Sequence, residues 1–441
     1  MNHQNPNSSD PKFTVRDTPH STRLFGDDGE SDSAGFELVQ VDTPKFVEAT
    51  NRYEILEQLG YGGSGIVYRA RDVSLSREVA VKMLRHRFFD RPEFVRRFTD
   101  ESKIICHLQH PGIAPVYECG TCPDGRPFFA MKLVDGVTMW SLIHKEASDS
   151  RHTARLLRIF SFVCQAIAYT HARGVIHGDL KPSNVMVGAF GEVHVMDWGL
   201  SQFRDSPKEN PKQTGLVRGT VQYMSPEQAS GKELTPRSDV FGLGTILLEI
   251  LTGCPLYIGT NKKDLVVKAA NAAYTDAIKR LDACGAEDAL VRLTKRCLAP
   301  DPDCRPSDAA EVAAEMLTYE HSVLERVESD MTRFFELSLD LFCIAGFDGY
   351  FRRINSNFSR VLGYTDTELL ASPFLNFVHE DDREDTIKVM NDLMAGKPVV
   401  RFQNRYRTTD GKAILFEWTV KSVPRENMIF GVARIVEEDT R

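Results

Sequence analysis

The chain has 441 residues, of which 42% are hydrophobic and 26% are charged, an ordinary composition for soluble globular protein. At about 100–200 residues per domain, this length predicts two or three domains. The net charge of −8 argues against nucleic acids and anionic membrane surfaces as partners. The first ten residues, MNHQNPNSSD, include no apolar stretch, so we expect no secretory signal and a cytoplasmic protein.

Two further features exclude other classes of protein. The most apolar window, residues 240–259, contains Glu249, Pro255 and four glycines, which favours a buried core helix followed by a turn over a membrane span. Nine cysteines are scattered along the chain, and Cys119 and Cys122 form the only close pair. Without a second pair nearby, this spacing favours a hairpin loop with reduced thiols over a metal or redox centre.

Composition and periodicity predict how the chain is organised. Residues 1–48 contain nine acidic and four basic side chains and are predicted to form a disordered acidic tail. From residue 53, the runs YEILEQLG, GIVYRARD and REVAVKML have the character of short strands, and PEFVRRFTDESKIICHL has the periodicity of an amphipathic helix. Helical runs dominate after about residue 150. A small strand-rich lobe is thus followed by a larger helical lobe.

The last part of the sequence has a different pattern. A helical linker is predicted over residues 316–333. After it, Asp348–Gly349 and Asp410–Gly411 each separate two strand-like runs, which is a strong hairpin signal. We therefore predict a separate α+β module over residues 334–437. On the strand after the second turn, alternate side chains share one face, namely those of Ile414, Phe416, Trp418 and Val420.

A glycine-rich turn is the first candidate for phosphate binding. LGYGGSGIVY places Gly60, Gly62 and Gly65 between two predicted strands, where backbone N–H groups can approach a triphosphate closely. Three glycines alone are weak evidence, since a plain turn gives the same pattern. Because a strand rather than a helix follows, the dinucleotide-binding fingerprint is disfavoured.

Five polar residues follow this turn: Lys82 in VAVK, Glu101 on the predicted helix, Asp179 and Asn184 in HGDLKPSNVMV, and Asp197 in VMDWG. Each alone has an ordinary explanation, such as a surface lysine or a solvated carboxylate, whereas their joint order and spacing are highly specific. Over residues 53–315 the sequence resembles the eukaryotic-type serine/threonine protein kinases, in a bacterial-like form. The resemblance implies an α+β bilobal kinase domain with a small β-rich N-lobe and a larger helical C-lobe.

The resemblance also implies a role for each of these residues. Phosphoryl transfer needs positioning and charge compensation more than covalent chemistry. Lys82, oriented by Glu101, would hold the inner phosphates of ATP, while Asn184 and Asp197 would bind Mg²⁺. Asp179 would accept the proton of the substrate hydroxyl group.

Other positions complete the implied site. Lys181 would neutralise charge on the transferring phosphoryl group and, together with Thr220, implies serine/threonine specificity. Glu227 with Arg305, and Asp239, resemble structural supports of the fold. The nucleotide-binding residues implied by the resemblance are Leu59, Gly60, Gly62, Gly65, Val67, Ala80, Lys82, Met131, Leu133, Val134 and Met186.

Two positions depart from the family pattern. Trp198 replaces the usual phenylalanine after the metal-binding aspartate, and its size should preserve the packing. Gly178 replaces the arginine that pairs with a phosphorylated activation segment in the family. Because the catalytic aspartate is unchanged, we expect a live site whose activity does not require phosphorylation of residues 200–218. The alternative is that Arg204 or Arg218 supplies the missing charge.

The module over residues 334–437 resembles a PAS domain, on the runs DLFCIAGFDGYFRRIN, VLGYTDTEL and FVHEDDRE. Such domains bind haem, flavin, small metabolites or nothing. No cysteine follows Cys343, which argues against flavin–cysteinyl photochemistry, and His379 has the place of a loop hydrogen-bonding residue rather than a haem ligand. The resemblance implies a sensor or dimerisation role, with a small apolar ligand left open and a homodimer through the module and linker helix as one arrangement.

Three functions remain after this sequence analysis. The first is an ATP- and Mg²⁺-dependent kinase that phosphorylates Ser or Thr of proteins, including itself, under control of the PAS module. The second is a pseudokinase scaffold that binds nucleotide and partners without transfer. The third is a sensor-driven oligomer that phosphorylates mainly itself. A histidine kinase is disfavoured, because no matching ATPase motif accompanies His321.

Overall fold

The computed structural model describes residues 52–63, 65–145, 150–204 and 219–436. The predicted acidic tail at 1–48 lies outside these residues. The chain divides into two compact units, Met1–Tyr319 and Glu320–Arg441. Within the described ranges, no helix combines the length and apolarity needed to cross a membrane.

The first unit begins with an antiparallel five-stranded sheet in the order β1-β2-β3-β5-β4. The predicted amphipathic helix is present as α1 (Pro92–His107) and packs against β4 and β5. Cys119 and Cys122 lie on the β4–β5 hairpin, and both thiols are free. The strands are β1 (Tyr53–Tyr61), β2 (Gly65–Asp72), β3 (Arg77–Leu84), β4 (Val116–Thr121) and β5 (Pro127–Lys132).

The remainder of this unit is mainly helical. Its small sheets are β6-β8-β9 and the pair β7-β10. The short strands are β6 (Gly136–Thr138), β7 (Val175–Ile176), β8 (Val185–Gly188), β9 (Val193–Val195) and β10 (Gln202–Phe203). The helices are α2 (Met139–Lys145), α3 (Ser150–Ala172), α4 (Pro226–Ala229), α5 (Pro236–Thr252), α6 (Lys262–Ala270), α7 (Thr275–Asp282) and α8 (Asp288–Cys297).

The apolar window at 240–259 is a core helix and turn, as predicted. It falls on α5, which begins at a capping box formed by Thr235 and Ser238 and ends at Gly253 in the left-handed conformation. Nearly all side chains of α5 are buried, and the helix packs against α3 and α8. This helix therefore forms the central support of the helical lobe.

Helix α9 (Ala309–Leu337) includes the predicted linker, residues 316–333. The second unit is built on an antiparallel sheet in the order β12-β11-β15-β14-β13. Both predicted hairpins are present, with Gly349 and Gly411 at positive φ in their turns. Its strands and further helices are β11 (Leu341–Gly346), β12 (Phe351–Ile354), β13 (Val399–Arg407), β14 (Ala413–Val423), β15 (Met428–Ile435), α10 (Ser356–Leu362), α11 (Asp366–Ala371) and α12 (Arg383–Met394).

Candidate active site

A cleft of about 600 Å³ opens beside the five-stranded sheet of the first unit. Strand pairing explains which side chains meet there, since Val67 lies opposite Lys82 and Ala80 lies opposite Met131. Of the residues that the sequence analysis singled out, those that line the cleft are Gly62, Gly65, Val67, Lys82, Glu101, Met131, Asp197 and Trp198.

The Lys82 ammonium is a buried charged group of this cleft. Its Nζ lies 2.6 Å from Glu101 Oε1 and 3.5 Å from Asp197 Oδ1. Burial opposes the charge on Lys82, but the two carboxylates outweigh burial and raise the pKa of Lys82. The lysine is therefore a fixed cation, held by helix α1 on one side and by the loop after β9 on the other.

Asp197 supplies an oxygen atom next to this cation, and Asn184 lies beside the residue that precedes Asp197, since its backbone oxygen accepts from the Met196 N–H at 2.7 Å. Asp197 has φ +60, a left-handed conformation that aspartate tolerates better than most residues. Burial alone would raise the pKa of Asp197, but Lys82, Lys181 and His177 lower it, so the carboxylate is ionised. Asn184 donates from Nδ2 to the backbone oxygen of Asp179 at 2.8 Å, which leaves its side-chain oxygen as an acceptor.

These two oxygen donors fit Mg²⁺. Among the described residues, no cluster of three or more His, Cys, Asp or Glu side chains could enclose a metal ion by itself. Mg²⁺ is characteristically held by one or two carboxylates together with substrate phosphates rather than by an all-protein cage. A single carboxylate and an amide oxygen match that preference.

Asp179 is held from two sides in the loop after β7. Its Oδ1 accepts a hydrogen bond from the backbone N–H of Thr220 at 3.0 Å, and its Oδ2 lies 2.9 Å from Lys181 Nζ. The Lys181 ammonium also donates to the Thr220 hydroxyl group. Asp179, Lys181 and Thr220 therefore form one hydrogen-bonded group.

Asp239 on α5 fixes the backbone before this aspartate. Its carboxylate accepts from the N–H groups of His177 at 2.7 Å and Gly178 at 2.8 Å. His171 Nε2 lies 2.9 Å from the same carboxylate, and its Nδ1 accepts from the Ala309 N–H, so Nε2 carries the hydrogen. Burial would raise the pKa of Asp239, but these donors lower it. The residue is a support, as the resemblance implied.

Gly178 has a conformational reason to be glycine. Its φ is +79, in the region where a side chain costs energy. A Cβ atom at this position would lie 3.0 Å from the Leu200 carbonyl oxygen and 3.3 Å from Leu234 Cδ1. The loop is therefore built around a residue without a side chain. Arg218, which bears on the regulatory hypothesis, lies outside the described residues.

Trp198 preserves the packing that phenylalanine would provide. The side chain is buried, and its ring lies 4.6 Å from the His177 ring. Its Nε1 donates to the Val195 carbonyl oxygen at 3.3 Å. The larger aromatic residue thus fits with its polar atom paired.

The second predicted support is a buried ion pair. Arg305 donates to both carboxylate oxygens of Glu227, at 2.7 and 3.0 Å, and Ser238 donates to the same carboxylate at 2.8 Å. Burial would raise the pKa of Glu227, but Arg305 lowers it. Helix α4 is thereby fixed to the segment that follows α8.

The remaining predicted nucleotide-binding residues adjoin the cleft rather than line its deep part. Ala80 and Met186 belong to the same buried cluster as Val67 and Met131, and Gly60 pairs with Val67. Leu59, Leu133 and Val134 pack against that cluster. The deep wall includes residues that the sequence analysis missed, because ordinary core positions carry no chemical signal: Ile105, Ala114, Phe129, Val195 and Met196.

Arg85 is a further residue that the sequence analysis missed. It follows β3 and is largely buried. Its NH1 donates to the carbonyl oxygens of Gly62 and Gly63 at 3.3 and 3.4 Å, and its guanidinium lies 3.9 Å from the Tyr61 ring centroid. This arginine therefore holds the glycine-rich turn through two of its backbone carbonyl oxygens and the Tyr61 ring. The feature of the sequence that could have drawn attention to Arg85 is its place three residues after Lys82.

The second unit has its own cavity of about 420 Å³. Its lining is mostly aromatic and aliphatic, and the polar exceptions form a chain. Trp418 Nε1 donates to Asn404 Oδ1 at 2.8 Å, and Asn404 Nδ2 donates to Thr386 Oγ1 at 3.0 Å. Cys343 also lines the cavity, and burial raises its pKa to about 12, which keeps the thiol protonated.

His379 lies outside this cavity lining. Its backbone N–H donates to the Arg405 carbonyl oxygen at 2.8 Å, and its Nδ1 accepts from the Asp381 N–H at 3.4 Å. These are contacts of a loop hydrogen-bonding residue, as predicted.

Comparison with known families agrees with this geometry. A protein kinase domain model matches residues 53–320, more than half of the chain. The chain belongs to the protein kinase family. A PAS fold model matches residues 351–432, so the second unit of this kinase-family chain has a PAS fold.

Three similar curated proteins come from bacteria. Serine/threonine-protein kinase PknB of Mycolicibacterium smegmatis is 38% identical over 278 residues, which cover 61% of this chain and 43% of that protein. PknB of Mycobacterium tuberculosis strain H37Rv is 37% identical over 272 residues, with the same shares. Serine/threonine-protein kinase pkn3 of Myxococcus xanthus is 35% identical over 283 residues, covering 62% of this chain and 51% of that protein. The chain thus matches about half or less of the length of these relatives.

Proposed function

We propose that this chain transfers the terminal phosphoryl group of ATP to Ser or Thr hydroxyl groups of proteins, itself included. The observation that carries the proposal is the placement of Lys82 between Glu101 and Asp197, in the same unit as the Asp179–Lys181–Thr220 group. Names of the bacterial relatives support the serine/threonine assignment.

The residues divide the work as follows. Lys82 binds and orients the inner phosphates, while the glycine-rich turn covers them with backbone N–H groups. Asp179 orients the substrate hydroxyl and takes its proton, and Lys181 balances charge that develops on the phosphoryl group. Asp197 and Asn184 would hold Mg²⁺, which supplies charge neutralisation on the phosphates when bound.

The second unit is proposed to regulate this activity as a sensor or dimerisation module. Its apolar cavity supports a small apolar ligand as the signal. A homodimer through this module and helix α9 fits the exposed apolar side chains of the helix: Leu317, Leu324, Val327, Met331 and Phe334. Their successive spacings of seven, three, four and three residues are those of a coiled-coil seam.

The test is transfer of labelled phosphate from ATP by the purified full chain, with the phosphorylated sites mapped. Mg²⁺-dependent labelling of Ser or Thr is expected, and Asp179→Asn should reduce it about 10²–10⁴-fold without changing nucleotide binding. Asp90→Asn, at an exposed position, is the matched control. Nucleotide binding without labelling of the chain or of added protein substrates would favour the scaffold function. Labelling that rises with protein concentration, with external substrates left unlabelled, would favour an oligomer that acts mainly on itself.

A further inference from the structure

One side chain connects helix α4 directly to the loop that carries Asp179. Gln228 Nε2 donates a hydrogen bond to the Gly178 carbonyl oxygen at 2.7 Å, across 50 residues of sequence. Gly178 immediately precedes Asp179. The bond therefore acts on the peptide unit from which the proposed catalytic aspartate projects.

Gln228 is itself held on a rigid support. Its backbone N–H donates to the Ser225 hydroxyl at 3.3 Å, which caps helix α4. The adjacent residue, Glu227, is fixed by Arg305 at 2.7 Å and by Ser238 at 2.8 Å. The amide of Gln228 therefore starts from a well-determined position and loses little additional freedom when it bonds to the loop.

The peptide unit between Gly178 and Asp179 is bound at both of its polar atoms. The carbonyl oxygen accepts from Gln228, and the N–H donates to His177 Nδ1 at 3.2 Å. Because a peptide unit is planar and stiff, two hydrogen bonds on opposite sides determine its orientation. That orientation sets the direction in which the Asp179 side chain leaves the backbone.

We propose that Gln228 is a positioning residue for Asp179. Its neutral amide connects α4 to the backbone of the catalytic loop, and this contact needs no phosphorylation. Gly178 has no guanidinium to make a phosphate-dependent contact, and its φ of +79 presents the carbonyl group to Gln228 instead. The inference rests on the proposed phosphoryl transfer. It adds Gln228 as the residue that holds the loop carrying Asp179 in the orientation needed for transfer.

The first test compares Gln228→Leu with wild type in the full chain. Leucine has a similar size but no hydrogen-bond donor. We expect kcat to fall about tenfold, with little change in KM for ATP. Amide hydrogen exchange at residues 178–180 should become faster. Gln109→Leu, at an exposed position, is the control and should leave both readouts unchanged. Wild-type kcat and wild-type exchange in Gln228→Leu would overturn the proposal.

Gln228→Glu separates positioning from a general structural role. An ionised carboxylate cannot donate to the Gly178 carbonyl and repels it, whereas a protonated carboxyl group can donate. Relative to wild type at each pH, kcat of Gln228→Glu should therefore recover as pH falls toward the pKa of the new carboxyl group, about 4–6 in a half-buried setting. Gln228→Leu should show no recovery. Equal losses in both variants at every pH would overturn the proposal.

The same measurements distinguish failure of this inference from failure of the proposed function. If wild type transfers no phosphate, the proposed function fails, and hydrogen exchange at residues 178–180 still tests the connection. Faster exchange in Gln228→Leu would then support it, and unchanged exchange would overturn it. If Gln228→Leu does not fold, the pH dependence of kcat in Gln228→Glu decides alone. Recovery of kcat at low pH would support the proposal, and the absence of recovery would overturn it.

Discussion

The two units bury their polar groups by different means. In the first unit, buried charges pair across long stretches of sequence, as in Lys82 with Glu101 and Arg305 with Glu227. In the second unit, the buried polar chain is neutral and runs from Trp418 through Asn404 to Thr386. The described ion pairs of the second unit range from exposed, as in Arg352 with Asp348, to partly buried, as in Arg405 with Asp382.

This difference corresponds to what each unit is proposed to hold. Charged phosphates and a metal ion require fixed charges, and fixed charges inside a protein require partners because desolvation is expensive. A cavity lined by aromatic rings needs only enough hydrogen bonding to satisfy its few polar atoms. The contrast predicts large effects when a charge is left alone in the first unit and smaller effects when a neutral bond is lost in the second.

The largest effect on stability is expected from Arg305→Ala. It leaves the buried Glu227 carboxylate without its bidentate partner, which typically costs about 3–5 kcal/mol. Denaturant unfolding of the full chain, followed by hydrogen exchange in α4 and α5, measures this loss. Arg292→Ala, at an exposed position on α8, is the control. If the free energy of unfolding fell no further in Arg305→Ala than in the control, the buried ion pair would not be a major source of stability in the first unit.

Lys82→Met tests the charged groups of the first unit through activity: we expect it to lower kcat more than it affects folding. It leaves Glu101 and Asp197 without the cation that lies between them. Removing one preorganised group that stabilises transition-state charge costs about 10²–10³-fold in kcat. Labelled-phosphate transfer measures the loss, and Lys103→Met, at an exposed position on α1, serves as the control. Transfer at the wild-type rate would contradict the role proposed for Lys82.

Sequence reasoning predicted the parts of this molecule that rest on local pattern or on a specific motif order. Strands β1, β2 and β3, helix α1, the core helix α5 and both Asp–Gly hairpins follow from periodicity and turn chemistry. The residues that meet around Lys82 follow from motif order. Their catalytic roles remain predictions, because the distances between these residues are not a measurement of phosphoryl transfer.

What sequence reasoning missed depends on contacts between distant segments. Gln228 has the composition of an ordinary helix residue, and only the folded chain places its amide on the Gly178 carbonyl. Gly178 was interpreted as a lost arginine, because backbone φ is not visible in a sequence. Ile105, Ala114 and Phe129 look like core residues and line the cleft as well.

Gly178→Ala sharpens the comparison at the level of the backbone. Left-handed φ costs a non-glycine residue about 1–2 kcal/mol, and the new Cβ would also crowd Leu200 and Leu234. Gly191→Ala is the matched control, because Gly191 has φ +84 and a Cβ added there would have no neighbour within 4 Å. We expect Gly178→Ala to be the more destabilising in denaturant unfolding. Equal losses would mean that backbone strain alone, without crowding, accounts for the glycine.

Thr386→Val tests the neutral side of the comparison, with the smallest expected effect. The substitution keeps the shape of the side chain but removes the hydroxyl that accepts from Asn404 and donates to the Asp382 carbonyl oxygen at 2.8 Å. Loss of such a bond costs about 1 kcal/mol, rising toward 3 kcal/mol where a buried group stays unpaired. Hydrogen exchange in α12 and β14 measures the change, with Thr419→Val at an exposed position as the control. A loss as large as that of Arg305→Ala would show that the neutral chain is as critical to its unit as the ion pair is to the other, and the contrast between the units would fail.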